Sequence, residues 1–356
     1  MGRLMNNYFY GKAGKGDFKK SDLPTNRWQL FWEMLRIRIS GLIRMNLMTL
    51  LAFLPTIVVV IYFVSNTLMI SSSLSEYKET GYVTSYNSET NESVVTEAPD
   101  ALKELAETDE SQGSSWMWGM ITQMCLFLIP CILITGPVQA GMAYVTRNWA
   151  RDEHAFIWSD FKDAVKDNWK QGLGISAISA LVPFIVAECW QFYGQMAATK
   201  NSLLFTVLQM LIVVLAFVWL LALVIAYPMM VGYKVTFRQL VKNSLILALA
   251  RLPQTVGVRL VTLVPTALFL LAVQLFGLNW LTAMLLIAAW YALLGNSLTR
   301  FIHASFTNAV FEKYLNPRIP GARTNIGLAD KDLEDEEDDL LSDMQEENAD
   351  QTEKTE

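Results

Sequence analysis

Long runs without a single charged residue constrain this chain more than any other feature. Asn46 to Ile70 is one such run, and Trp116 to Val145 is a second. Gly172 to Gly194 is a third, broken only by Glu188, and Ser202 to Tyr233 is a fourth. Between Arg259 and Arg300 lie 40 further uncharged residues, enough for two crossings of a bilayer. About 20 residues of helix cross a hydrocarbon core of about 30 Å. Backbone groups in lipid must find partners within their own segment, so these runs are expected to be helices. A barrel would show short alternating segments instead. The fold class that follows is all-α, a polytopic transmembrane helical bundle of six spans, at about 46–70, 116–145, 172–194, 202–233, 255–276 and 280–299. Gly277-Leu278-Asn279-Trp280 marks the hairpin between the last two. Prolines 55, 130, 183, 228 and 265 fall inside the apolar runs, where each removes a helix hydrogen bond.

Basic residues set the orientation. With the N-terminus inside, 25 of the 28 Lys and Arg residues lie in the four cytoplasmic segments and 3 in the outer ones. The expected localisation is therefore the cell membrane, multi-pass, with N- and C-termini cytoplasmic. Only 17% of the residues are charged, below the quarter usual in soluble domains. The net charge of −6 averages a basic inner surface with an acidic tail and says little about partners. The first 45 residues are polar and basic, without the apolar run of a secretory signal, so the first span is expected to remain as an anchor. Cys125, Cys131 and Cys189 all sit in apolar stretches and read as small buried hydrophobes.

Between and around the spans, residues 1–23 form a polar N-terminus expected to be flexible. Residues 24–45 form an amphipathic juxtamembrane helix capped at Thr25 or Asn26, with Trp28, Phe31, Leu35, Leu42 and Met45 near one face. Such a helix either lies in the inner headgroup region or packs under the bundle. The membrane domain covers 46–316 and includes an extracytoplasmic insertion at 71–115 with ten acidic residues and two lysines. A solvated surface is the simplest reading of that insertion, a small ordered unit or a cation-binding face the alternative. Residues 317–356 form an acidic tail, expected to be disordered through self-repulsion of blocks such as LEDEEDDLLSDMQEE.

Two groups of residues are candidates for function. Glu188 is the one ionisable side chain well inside a span, with Arg259 counted at the inner edge of the fifth. An intramembrane carboxylate points to function, and Gln123, Gln209 and Gln274 fall at comparable depths. Together they could line a ligand pocket open to the outer side. Alternatively they pair helix to helix as polar glue, or Glu188 reaches the interface. Convergence on one cavity would favour transport. Dispersal over separate helix pairs would favour an accessory role.

The inner loops supply the second group. In the first of them Ser159 or Asp160 can cap a helix placing Phe161, Val165 and Trp169 on one face. The spacing F-x-x-x-V recurs at Phe237/Val241 and Phe306/Val310. Trp149, Arg151, Trp158, Phe161, Trp169 and Lys170 are the candidates for partner binding.

The run Gly136-Pro137 through Gly141, Tyr144, Arg147, Trp149 and Arg151 continues to Phe156, Trp158, Asp160, Phe161 and Asn168-Trp169-Lys170. It resembles the signature of the YesL-like family, Firmicute membrane proteins classed as a domain of unknown function. The resemblance covers about residues 28–315 and is specific around 130–172. The acidic insertion and tail depart from the shorter family pattern. Members are often encoded beside carbohydrate-uptake and glycan-degradation systems, which implies a link to sugar transport. The family has no agreed catalytic or ligand residues, so none transfers to this chain.

Enzyme chemistry is not expected. His154 and His303 lack metal-spaced partners, and no G-x-S-x-G, H-E-x-x-H or strand-preceded phosphate loop occurs. Gly11 to Gly16 has the composition of a phosphate loop but no strand before it. No cofactor, metal or nucleic-acid partner is expected. The expected partners are the lipid bilayer and a membrane transporter or sensor complex. The leading expectation is an accessory or regulatory component linked to carbohydrate uptake. The alternative is a stand-alone transporter or ligand-binding membrane protein using the polar layer around Glu188.

Overall fold

Each uncharged run becomes a helix, and several helices extend well past the run that nucleates them. The computed structural model describes residues 24–87, 92–107, 110–277, 279–322 and 324–328. The N-terminal 1–23 and the acidic tail from 329 onward lie outside the described residues. In chain order the elements are α1 (Arg27–Thr80), β1 (Val83–Asn87), β2 (Glu92–Thr96), α2 (Asp100–Glu107) and α3 (Glu110–Trp149). They continue with α4 (Ser159–Lys200), α5 (Leu203–Gly232), α6 (Phe237–Ala250), α7 (Leu252–Phe276), α8 (Trp280–Trp290) and α9 (Asn296–Tyr314). A π-turn, Tyr291–Gly295, joins α8 to α9 so that one rod runs through both. Among the described residues, six rods are long and apolar enough to cross a membrane: α1, α3, α4, α5, α7 and the α8–α9 rod.

The juxtamembrane helix and the first span are one element. α1 has 54 residues, which at 1.5 Å per residue is about 80 Å, more than twice a hydrocarbon core. Its start is fixed by Asn26, whose side chain accepts from the Gln29 N–H. Gln29 in turn accepts from the backbone and hydroxyl of Thr25. Leu30, Met34, Leu42 and Met45 are buried against Trp149, Phe161, Phe301 and Ala304, so the first turns of α1 pack under the bundle. Trp28 turns away from that face and is 67% exposed. Arg27 clamps the same end, pairing with Glu312 and donating to the Ile326 carbonyl at 2.9 Å.

At the opposite end the acidic insertion is a small ordered unit. β1 and β2 pair antiparallel, Val83 opposite Thr96, and Glu76 of α1 accepts from the backbone N–H and hydroxyl of Thr84. Among the described residues no three His, Cys, Asp or Glu side chains are placed to share a metal ion. The expected hairpin between the last two spans is present: Gly277 takes a left-handed conformation with φ +62°, and Asn279 caps α8 by accepting from the Leu281 N–H.

α3 and α4 make the most extensive helix contact. Small residues allow it, because lipid gives helices no hydrophobic drive to associate and close approach must replace it. A Cβ on Gly136 would lie 2.3 Å from both the Gly172 carbonyl oxygen and the Ser176 hydroxyl. Ser176 donates from α4 to the Leu133 carbonyl of α3 at 2.9 Å. Gly41 provides the second close approach, leaving room for the indole of Trp149, whose nearest ring carbon would sit 2.9 Å from an added Cβ. A second core joins α5, α6 and α9 around Tyr227, Leu240 and Phe311.

Candidate functional site

The polar residues expected to form one layer serve different helix pairs. Glu188 accepts a hydrogen bond from the Thr122 hydroxyl at 2.6 Å, joining α4 to α3. Gln209 of α5 donates to the Trp190 carbonyl of α4 at 3.1 Å. Gln123, next to Thr122 in sequence but turned away on the helix, lines an open groove between α1 and α3 with Tyr62, Phe63 and Asn66. The side chain of Gln274 lies outside the described residues. Each described member therefore has a local role between two helices.

The candidates on the α3–α4 loop and the start of α4 divide into buried and exposed sets. Trp149 is 2% exposed, stacked under α1 with the Arg38 guanidinium 6.0 Å from its ring. Phe161 is buried beside it, its ring against Gly141. Arg151 is mostly covered and pairs with Glu153. Trp158 and Trp169 stand out at 63% and 48% exposure, with Phe156 and Lys170 exposed near them in sequence. The Lys170 ammonium lies 5.6 Å from the Trp169 ring centroid. No side chain caps α4; instead Asp160 accepts from the Phe156 N–H at 2.9 Å and ties the exposed loop down. Of the three F-x-x-x-V pairs, Phe237 is partly exposed, whereas Phe161 and Val310 are buried in different cores.

A further site involves residues that the sequence reading placed at span edges. Arg259 of α7 and Arg300 of α9 line one polar cavity of about 220 Å³, together with Gln139, Tyr291, Asn296 and Thr299. Arg300 lies with its guanidinium carbon 4.4 Å from the Tyr227 ring centroid, and its Nη2 donates to Gln139 Oε1. Its Nη1 is closed off from solvent without a hydrogen-bond partner among the described residues. One turn further along α9, His303 is buried, and neither ring nitrogen has such a partner. Neither Arg259 nor Arg300 pairs with a carboxylate among the described residues.

The π-turn builds one wall of this cavity. A π-turn widens the helix and takes carbonyls out of the regular ladder, a pattern frequent at functional sites. Here Asn46 of α1, itself 1% exposed, fills the gap. Its amide donates to the carbonyls of Tyr291 and Ala292 at 2.8 and 2.6 Å, and its oxygen accepts from the Ser297 N–H at 2.9 Å. Tyr291 is fixed at its other end by a 2.9 Å hydroxyl bond with Thr266 of α7. Three helices thus hold Tyr291, Asn296 and Arg300 in register. On the other side of Tyr291 an almost wholly apolar groove of about 430 Å³ continues between α1, α7 and α8.

No curated protein and no solved structure matches the chain. The α3–α4 pair with its glycine contact, the Glu188–Thr122 bond and the loop between the two helices all fall between Glu110 and Lys200. The chain is a multi-span membrane protein whose residues 114–187 match the family described as "Protein of unknown function, DUF624".

Proposed function

We propose that this is an accessory or regulatory membrane component, YesL-like, with both termini cytoplasmic, that acts through its inner face on a partner such as a carbohydrate-uptake system. The observation that carries the reading is the dispersal of the polar layer. Glu188, Gln209 and Gln123 are used between separate helix pairs or along an outer groove, where a transport path would gather them. The inner face supplies what a partner surface needs. Trp158 and Trp169 are exposed aromatics of the kind that anchor interfaces, mounted on a loop and helix that Asp160 and the buried Phe161 hold in place. The cytoplasmic placement of that face rests on the distribution of Lys and Arg. The tie to carbohydrate uptake rests on the family resemblance alone.

In-cell cross-linking followed by purification from native membranes tests the reading, with the full chain beside a Trp158→Ala/Trp169→Ala variant and a version ending after Ala329. Recovery of a sugar-permease subunit with the full chain, and its loss from the tryptophan variant, is the expected result. Recovery of all three forms without a transport component would overturn it. Loss on truncation alone would move the contact to the tail.

A second reading, a ligand-binding membrane protein, is favoured by a separate observation: the cavity with two arginines and, among the described residues, no carboxylate paired with them.

A further inference from the structure

We infer that the arginine cavity and the apolar groove together form one binding site for an anionic phospholipid, phosphate on Arg259 and Arg300 and acyl chain along α1, α7 and α8. The inference rests on the ligand-binding reading and extends it by naming the ligand class.

Charge comes first. An arginine among membrane helices is costly unless its charge is compensated. Tyr227 covers one face of Arg300 and Gln139 takes one of its nitrogens. Among the described residues those contacts leave Nη1 closed off without a partner and the positive charge without a carboxylate. Arg259 adds a second cation to the same cavity and repels the first. A bound phosphate removes the repulsion and offers acceptor oxygens in the geometry a guanidinium fork matches. Asn296 and Thr299 line the same space and can donate to further oxygens.

Shape selects the amphiphile. The groove and the cavity share Phe53, Tyr291 and Asn296 in their walls, so the two spaces adjoin across these side chains. Away from the arginines the groove is lined by Ile57 and Ile61 of α1, Leu270 of α7, and Met284 and Ile287 of α8. Going from Phe53 to Ile61 along α1 advances about 12 Å at the helical rise, from Met284 to Tyr291 about 10 Å, and from Thr266 to Leu270 of α7 about 6 Å. A free phosphate would leave this groove empty. A phospholipid fills both parts, its headgroup at the basic end and its chain toward the bilayer centre. In the proposed topology that is the attitude of an inner-leaflet lipid.

The experiment uses the full chain, delipidated in detergent, with melting temperature and native mass spectrometry as readouts. The probes are phosphatidylglycerol, phosphatidylcholine and inorganic phosphate. Phosphatidylglycerol is expected to raise the melting temperature and leave a one-to-one adduct; phosphatidylcholine and phosphate are expected to do neither. Arg259→Gln, which spares the buried Arg300 contacts, should weaken that binding on the order of tenfold or more, the equivalent of one charge-assisted hydrogen bond. Ala288→Phe fills the groove while leaving both arginines in place, and should weaken binding similarly. Equal effects of the two lipids would overturn the inference, as would phosphatidylglycerol binding that neither variant changes. Stabilisation by inorganic phosphate alone, insensitive to Ala288→Phe, would overturn the lipid and leave the anion site standing. No binding by any probe would remove both.

Discussion

Replacing Asn46 by Ala should destabilise the protein more than any other single polar change on α1. The side chain is buried and makes three bonds across to the π-turn: two donated to the Tyr291 and Ala292 carbonyls and one accepted from Ser297 N–H. Interhelical hydrogen bonds in membranes are worth about 0.6 kcal/mol each on average, giving about 2 kcal/mol for the set. The Tyr291 carbonyl keeps its bond from Asn296, but the Ser297 N–H loses its acceptor in a site closed to water. Leaving a buried donor unpaired adds about 1–3 kcal/mol. The loss is therefore about 3–5 kcal/mol, and the melting temperature of the detergent-purified protein should fall on the order of 5 to 10 °C. Asn46→Asp tests the directionality. It keeps an acceptor for Ser297 but turns two carbonyls against a carboxylate, so it should be no better than Ala and worse at neutral pH than at low pH. Asn46→Ala within about 1 °C of wild type would refute the reasoning, because the π-turn would then be held by something other than this side chain.

Three further outcomes follow from contacts elsewhere. Gly136→Val drives a branched side chain into the Gly172 backbone and Ser176. It should lower folded yield in membranes sharply, whereas Gly119→Val, at a position with open space around it, should not. Glu188→Gln should match wild type in melting temperature because an amide oxygen can still accept from Thr122, while Glu188→Ala should lose about 1 kcal/mol, read by the same melt. In a double-mutant cycle, Arg27→Ala and Glu312→Gln should be non-additive by about 1 kcal/mol and lose that coupling at high salt, since both side chains retain some exposure.

The helices were legible because a hydrocarbon core demands a particular length of uncharged chain, and each expected span coincides, to within a residue at its ends, with part of one of the six long rods, the last of them interrupted by the π-turn. Gly277 and Asn279 were legible as a turn because a left-handed glycine followed by a capping side chain is local chemistry. The continuity of α1 was not: polar and basic residues 24–45 mark an interface by composition, and only Trp149, Phe161 and Phe301 beneath them make that segment extend the span. The arginine cavity was hidden for a different reason. Arg259 and Arg300 bound the 40-residue apolar stretch and read as its ends. A hairpin folded near Gly277 brings residues at similar distances from the turn side by side, a signal present in the sequence. Gln139, Tyr227 and Asn46 join them from other helices, which no local pattern foretells. The layer around Glu188 failed to gather because equal depth in the bilayer does not fix the direction a side chain faces around its helix.

Orientation carries the account, since it decides whether the aromatic face and the arginine cavity meet the cytoplasm. Single cysteines at Lys103→Cys in the insertion and Lys166→Cys on α4, placed in a background without Cys125, Cys131 and Cys189, can be labelled with a membrane-impermeant maleimide in intact cells. Labelling of Lys103→Cys in intact cells, and of Lys166→Cys only after the membrane is opened, is the predicted result. The reverse pattern would place Trp158, Trp169 and the arginine end outside the cell and contradict the account.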